Sequence, residues 1–402
     1  MLFYFRANCT YRSIEEIMKI TGEVLLGALG IKCDKGFYPA FNTVKTWAEK
    51  CGLSKAGASG GETLEDWCCI IDESISANAE KLFLVLGAPA GCKGEPLSVS
   101  DTRVLGISVA KSHKASDVSE LIRQAQESVG TAPEYALGDG GRNLVKGAED
   151  AGLVYHQDCG HAIANVLKSV YGKDEAFQEL SASVGRTRRY ALSEYAYLMP
   201  PAMRSIARYM NLTKWIYWAH HMNENAFPKM RKDERRMYEF LQEHASLVDE
   251  LYHVMEEINT VLKTIKCEGL SRGTLMKCRA IIYGHMNYSG LNARKVSEGI
   301  LKYLESESSK MRDKGVPCNI SSDIIESYFG YDKSRMSKNK RTGFTSRVLT
   351  LALRPYASDA STLDMKDIKG MLDHTTINDV KNWCRKNLGP NQTTKRREKL
   401  VA

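Results

Sequence analysis

Trp67-Cys68-Cys69-Ile70-Ile71-Asp72 and Tyr135-Ala136-Leu137-Gly138-Asp139 are short apolar runs that each end on an aspartate, and the two aspartates lie 67 positions apart. Uninterrupted apolar runs of this length suit strands buried on both faces. In open α/β sheets, sites form beyond the carboxyl ends of strands. A carboxylate there costs free energy unless it is paired, hydrogen-bonded or bound to metal. Two carboxylates on adjacent strands repel each other unless a cation lies between them, and hard oxygen donors suit Mg²⁺ or Mn²⁺. Taken alone, either aspartate has a plainer reading as a turn or helix-cap residue.

Outward from these runs the pattern continues. Lys81-Leu82-Phe83-Leu84-Val85-Leu86, bounded by Gly87, Pro89 and Gly91, is a second strand, and Val104-Leu105-Gly106-Ile107-Ser108-Val109 a third. A helix follows, with capping-box spacing at Asp117 and Glu120 and apolar Val118, Leu121, Ile122 and Ala125 at helical spacing. After the strand ending at Asp139 comes a helix from Arg142 to Asp150, stopped near Gly152. Leu153-Val154-Tyr155-His156-Gln157 is the fifth strand, and it leads into the helix from His161. The order β-β-β-α-β-α-β, antiparallel strands first and parallel crossovers after, predicts a mixed five-stranded sheet of the RNase H-like type, an α/β core over 66–171. Residues 172–315 lose the strand pattern. Glu234–Leu241 and Leu247–Met255 are helical in period, so this stretch is expected to be an all-helical insertion. Residues 316–350 return to the core with a closing helix, in which Ile325, Tyr328 and Phe329 form an apolar face beside Glu326. Glu326 is the best third acid. Asp323, one turn earlier, is its rival, and the plain alternative is a solvent-facing glutamate.

Residues 1–55 predict short helices, one with Ser13 and Glu16 at capping-box spacing and one over Thr43–Lys50, resembling a helix-turn-helix module. On the second of these, Lys45 is expected at the surface and Trp47 in the core. The Gly-rich 56–65 is a linker. The chain has 402 residues and a net charge of +8, yet residues 316–402 hold 16 Lys and Arg against nine Asp and Glu, so nearly all of the excess is C-terminal and 351–402 forms a basic extension. Such a stretch favours an anionic polymer as partner. No apolar run approaches the length of a membrane span. The 11 Cys include no C-x₂-C pair, which argues against structural zinc and for a reduced compartment.

Asp72; Asp139 followed by Gly140-Gly141-Arg142-Asn143; Asp158-Cys159-Gly160-His161; and Ile324-Ile325-Glu326-Ser327-Tyr328-Phe329 together resemble the DDE transposases of prokaryotic insertion sequences. The likeness covers roughly 66–345, with 187 positions between Asp139 and Glu326 to hold a helical insertion. What the resemblance implies is an RNase H-like fold in which Asp72, Asp139 and Glu326 bind two Mg²⁺ (or Mn²⁺) ions. It further implies phosphodiester hydrolysis followed by strand transfer at transposon ends, with double-stranded DNA as partner, a homodimer on the DNA, no membrane, and a cytoplasmic, nucleoid-associated location. Asp158 and His161 match a supporting D-x-x-H signature. Lys45, Arg142, Arg204, Arg208, Lys333, Arg335, Lys338, Lys340 and Arg341 are the expected DNA contacts. Trp215 and Trp218 in the insertion are expected as core. The alternatives are a catalytically inactive or domesticated transposase-derived DNA-binding protein, and an RNase H-like nuclease without strand transfer.

Overall fold

The computed structural model describes residues 2–31, 38–57, 64–75, 80–202, 209, 212–284, 286, 290–336, 343–357, 365–389 and 392–401. The chain divides into two compact units, one of Met1–Ala90, Leu97–Tyr155 and Ser322–Ala402, the other of Gly91–Pro96 and His156–Ser321. In chain order the main elements are α1 (Tyr11–Ala28), α2 (Phe41–Lys55), β1 (Trp67–Ile75), β2 (Lys81–Pro89), β3 (Arg103–Ala110), α3 (Ala115–Val129), β4 (Ala136–Gly138), α4 (Arg142–Asp150), β5 (Tyr155–Gln157) and α5 (Cys159–Tyr171). Then come α6 (Glu175–Glu194), α7 (Leu212–His221), α8 (Lys232–Glu243), α9 (Ala245–Glu268), α10 (Arg272–Gly284), α11 (Leu291–Lys310), α12 (Asp323–Arg335), a 3₁₀ stretch Ser346–Leu353, α13 (Met365–His374), α14 (Ile377–Asn387) and α15 (Gln392–Val401).

The sheet is mixed, with order β3-β2-β1-β4-β5. β1 pairs antiparallel with β2 from Trp67↔Pro89 to Ile75↔Lys81, and parallel with β4 through Cys69↔Ala136 and Ile70↔Leu137. β1 and β2 are apolar on both faces because each has a strand on either side and both faces are covered. On one face the odd-numbered Trp67, Cys69, Ile71, Phe83 and Val85 pack with Val118, Ile122 and Ala125 of α3 and Leu144 and Ala148 of α4. α3 carries the chain across that face from the β3 edge to β4, and it ends at Gly130, whose φ of 79° is left-handed and free of Cβ strain. Ile70, Leu84 and Leu86 point to the opposite face, and α12 packs against β1.

Three local expectations are revised. β1 does not end at Asp72 but runs to Ile75, because β2 continues to pair with it after β4 has parted from it. α3 begins at Ala115, so Asp117 serves from the third helical position, accepting from the Lys114 N–H at 2.8 Å, rather than as the cap itself. α1 begins at Tyr11, and the Thr10 hydroxyl, not Ser13, accepts from a first-turn N–H, that of Ser13 at 3.1 Å.

The segments expected as an N-terminal module and a basic extension both fall within the first unit. α2 packs on the 3₁₀ stretch, where a Cβ on Gly52 would meet the Leu349 carbonyl, and on α13 and α14. Trp47 is 40% exposed, contrary to its expected place in the core, since Val44, Ala48 and Cys51 form the buried stripe of α2. The second unit is helical, with Trp215, Tyr238, Leu251 and Ile258 buried, and an isolated bridge Leu270↔Cys318 joins two of its segments. Trp215 stands 5.9 Å from the Phe177 ring and Trp218 6.0 Å from that of Tyr238. Glu307 and His156, both buried, pair at 2.9 Å, and Lys310 takes the second carboxylate oxygen at 2.7 Å. Among the described residues no helix is long and apolar enough to cross a membrane.

β4 approaches β1 closely at Gly138. A Cβ there would lie 2.5 Å from the Ile71 carbonyl oxygen and 2.6 Å from the Tyr155 hydroxyl. Gly138→Ala is therefore expected to destabilise the protein by about 1–3 kcal/mol through overpacking against backbone, which denaturant unfolding would register as a lowered midpoint.

Candidate functional site

Asp72 and Asp139 stand at equal register. The β1·β4 pairing joins residues 67 positions apart, and Asp72 and Asp139 are separated by the same offset. Gly138 packs on Ile71, so the register persists to the neighbouring pair. Parallel partners at equal register point to the same sheet face, here the face opposite α3 and α4. Asp139 lies one residue past β4, where the chain turns into α4. Both carboxylates are half-buried. Each accepts a hydrogen bond from a nearby backbone N–H: Asp72 Oδ1 from Glu73 at 2.7 Å and Asp139 Oδ1 from Gly141 at 2.8 Å. The Gly140 N–H donates to the Tyr155 hydroxyl at 3.1 Å, so the turn after Asp139 is held to β5.

Glu326 is on α12, the helix packed against β1. Ile325, Tyr328, Phe329 and Asp332 form the buried side of that helix. Glu326, Gly330 and Lys333, spaced four and three apart, make an exposed stripe along its edge, and a Cβ on Gly330 would meet nothing within 4 Å. The helix is anchored by specific contacts. Tyr328 and Thr102 share a buried hydroxyl–hydroxyl bond of 2.7 Å. The Arg354 guanidinium lies 4.7 Å from the Tyr328 ring and 4.6 Å from the Tyr331 ring, and Asp332 pairs with Arg347 at 2.9 Å. Burial pushes the Tyr328 phenol up to about 12, so it stays a neutral hydrogen-bonding group. Burial also raises the Asp332 carboxyl, against the opposing pull of Arg347.

The donors are all carboxylate oxygens, the set that Mg²⁺ and Mn²⁺ prefer, and Mg²⁺ is commonly held by one or two carboxylates with water and substrate phosphate completing its shell. The aspartate pair fits such an ion. Among the described residues no three His, Cys, Asp or Glu side chains stand close enough together to hold a metal ion. Glu326 therefore does not close a three-carboxylate set with the aspartates in this structure.

Asp158 and His161 belong to the second unit. Asp158 is fully buried and caps α5, accepting from the His161 N–H at 2.7 Å and pairing with its ring Nδ1 at 2.9 Å. Of the expected DNA contacts, Arg142 opens α4 at the surface, Lys333 is exposed on α12, and Lys45 is 44% exposed beside Glu49 at 3.6 Å. Arg335 is turned inward, its guanidinium 4.0 Å from the Tyr4 ring and 4.6 Å from the Tyr331 ring, and it donates to the Tyr4 carbonyl. Arg204, Arg208, Lys338, Lys340 and Arg341 lie outside the described residues.

Sequence reasoning missed a polar cluster beside Asp72. Glu73 accepts from Lys81 Nζ at 2.7 Å and bonds His113 Nδ1 at 2.7 Å, while His113 Nε2 meets the Ser108 hydroxyl at 3.1 Å. Its only linear signal is that Glu73 adjoins Asp72, because the sheet, not the sequence, joins positions 40 residues apart. A comparison of the chain with models of known protein families and with curated proteins finds no match.

Tyr328→Phe is expected to cost about 0.5–1.5 kcal/mol, the net worth of a lost hydrogen bond. The low end is favoured because Thr102 keeps its bond to the Val99 carbonyl at 2.8 Å. Chemical denaturation against wild type measures it.

Proposed function

We propose that this chain is a DNA-cutting and DNA-joining enzyme of the DDE transposase kind, with an RNase H-like core built on the five-stranded sheet. One observation carries the reading: two aspartates at equal register on adjacent parallel strands, on one sheet face, with the helix bearing the third acid packed on the same strand. Two carboxylates so placed offer hard oxygen donors to one divalent cation.

Asp72 and Asp139 would hold Mg²⁺ or Mn²⁺, two ions being expected with Glu326. Such ions polarise a phosphodiester and lower the pKa of bound water. The chain's own work is positioning. The Glu73 and Gly141 amides each fix one oxygen of an aspartate and so orient the two carboxylates. Glu326 stands at an open edge of α12, next to a glycine that leaves room for a strand, with Lys333 on the same edge to meet a phosphate. Arg142, at the start of α4, supplies a second cation near Asp139. The C-terminal excess of positive charge suits double-stranded DNA, with affinity that falls as salt rises. A homodimer that pairs two transposon ends at the nucleoid completes the proposal.

A second reading, a relative that binds DNA without cutting it, draws on the absence of a closed three-carboxylate set among the described residues. Cleavage of DNA carrying the element's own ends, in Mg²⁺ or Mn²⁺, separates the two. The enzyme reading expects nicking by wild type and none by Asp139→Ala, with both binding the DNA. Binding by both and cutting by neither, across a range of divalent metals, would leave the binding protein.

A further inference from the structure

We propose that His113 is a positioning residue that sets both aspartates at once, an inference that rests on the metal-dependent reading of Asp72 and Asp139. His113 lies in the loop between β3 and α3, buried, with its ring 5.1 Å from that of Phe83. It makes two sets of bonds that lead to different aspartates.

The first leads to Asp72. Both the His113 backbone N–H (3.2 Å) and its ring Nδ1 (2.7 Å) face Glu73 Oε1. A carboxylate accepts, so Nδ1 is the donor to Glu73, while Nε2 meets the Ser108 hydroxyl at 3.1 Å. Lys81 takes the other carboxylate oxygen at 2.7 Å, so the Glu73 side chain is held from β2 and from the loop. The Glu73 amide is the group that donates to Asp72 Oδ1 at 2.7 Å. Fixing the side chain of Glu73 therefore fixes the peptide that orients Asp72.

The second leads to Asp139. The His113 carbonyl accepts from Asn143 Nδ2 at 3.1 Å. Asn143 is the second residue of α4, and the helix it anchors begins just after Gly141, whose amide donates to Asp139 Oδ1 at 2.8 Å. One residue thus ties the peptide behind each carboxylate to the same loop. The arrangement holds the two carboxylates at a set separation, as hydrogen-bonded outer partners do for metal ligands elsewhere. A plain packing role for the buried cluster would not require that one arm bond the residue after Asp72 and the other the first turn of the helix after Asp139.

The test is Mn²⁺ titration of the full-length protein without DNA, by electron paramagnetic resonance, for wild type, Asp139→Ala, His113→Ala, His113→Asn and Asn143→Ala, with kinetics of DNA-end cleavage alongside. If wild type takes up no Mn²⁺, or Asp139→Ala takes it up equally well, the parent reading fails and this inference falls with it. Where wild type binds and Asp139→Ala does not, His113→Ala is expected to bind Mn²⁺ roughly 10- to 100-fold more weakly. Its kcat should fall with KM for DNA unchanged. His113→Asn should recover most of the affinity, since its amide N–H can serve Glu73 in place of Nδ1–H. Wild-type Mn²⁺ affinity in folded His113→Ala overturns the proposal while the parent reading stands. If His113→Ala does not fold, Asn143→Ala decides: weakened Mn²⁺ binding supports the proposal, and unchanged binding overturns it.

Discussion

The parallel pairing of β1 with β4 is the constraint on which the rest depends. It is short, Cys69↔Ala136 and Ile70↔Leu137, yet it sets a 67-residue offset that carries Asp72 and Asp139 to the same level and the same face. A slip of one residue would turn one aspartate into the core beneath α3 and α4, where an ionised carboxylate has no partner. Gly138 guards against the slip by allowing a backbone approach that no side chain permits. The apolar residues of β1 and β4 then hold the register by burial on both sides.

That pairing sets two half-buried carboxylates at equal register, and each accepts a hydrogen bond from one backbone amide. Next to them a second carboxylate, Glu73, points to the opposite face and is compensated in full by Lys81 and His113. Neighbours in β1 therefore differ sharply. Glu73 pairs with side chains on the face covered by α3 and α4, whereas Asp72 lies on the other face with Asp139.

α12 holds Glu326 under a different regime. Its buried side is locked by Tyr328, by the Arg354 stack and by the Asp332–Arg347 pair, so the helix is fixed while Glu326 stays at its exposed edge. The fixed helix therefore presents an exposed acidic edge. In the second unit, the buried Asp158 and the Glu307–His156 pair show the opposite use of acids, each consumed by capping or pairing inside the fold.

The five strands, their order in the chain and the helical stretch after them were legible from period alone, because burial on two faces writes apolar runs and burial on one helical face writes a 3.6-residue repeat. Asp72 and Asp139 stood out since an acid that ends an apolar run is costly anywhere else. What the chain could not disclose is pairing. That β1 outruns Asp72 to Ile75 follows from β2, that Trp47 faces outward follows from which side of α2 meets the 3₁₀ stretch, and that Arg335 turns inward follows from Tyr4 arriving from more than 300 residues away. His113 is the clearest case. In sequence it is one histidine in a polar loop, and only the sheet, by bringing β1, β3 and α4 to that loop, decides that it bonds the neighbours of both aspartates. Local composition sets which elements form, whereas the partners of a polar side chain are settled by long-range register, which no short stretch of sequence contains.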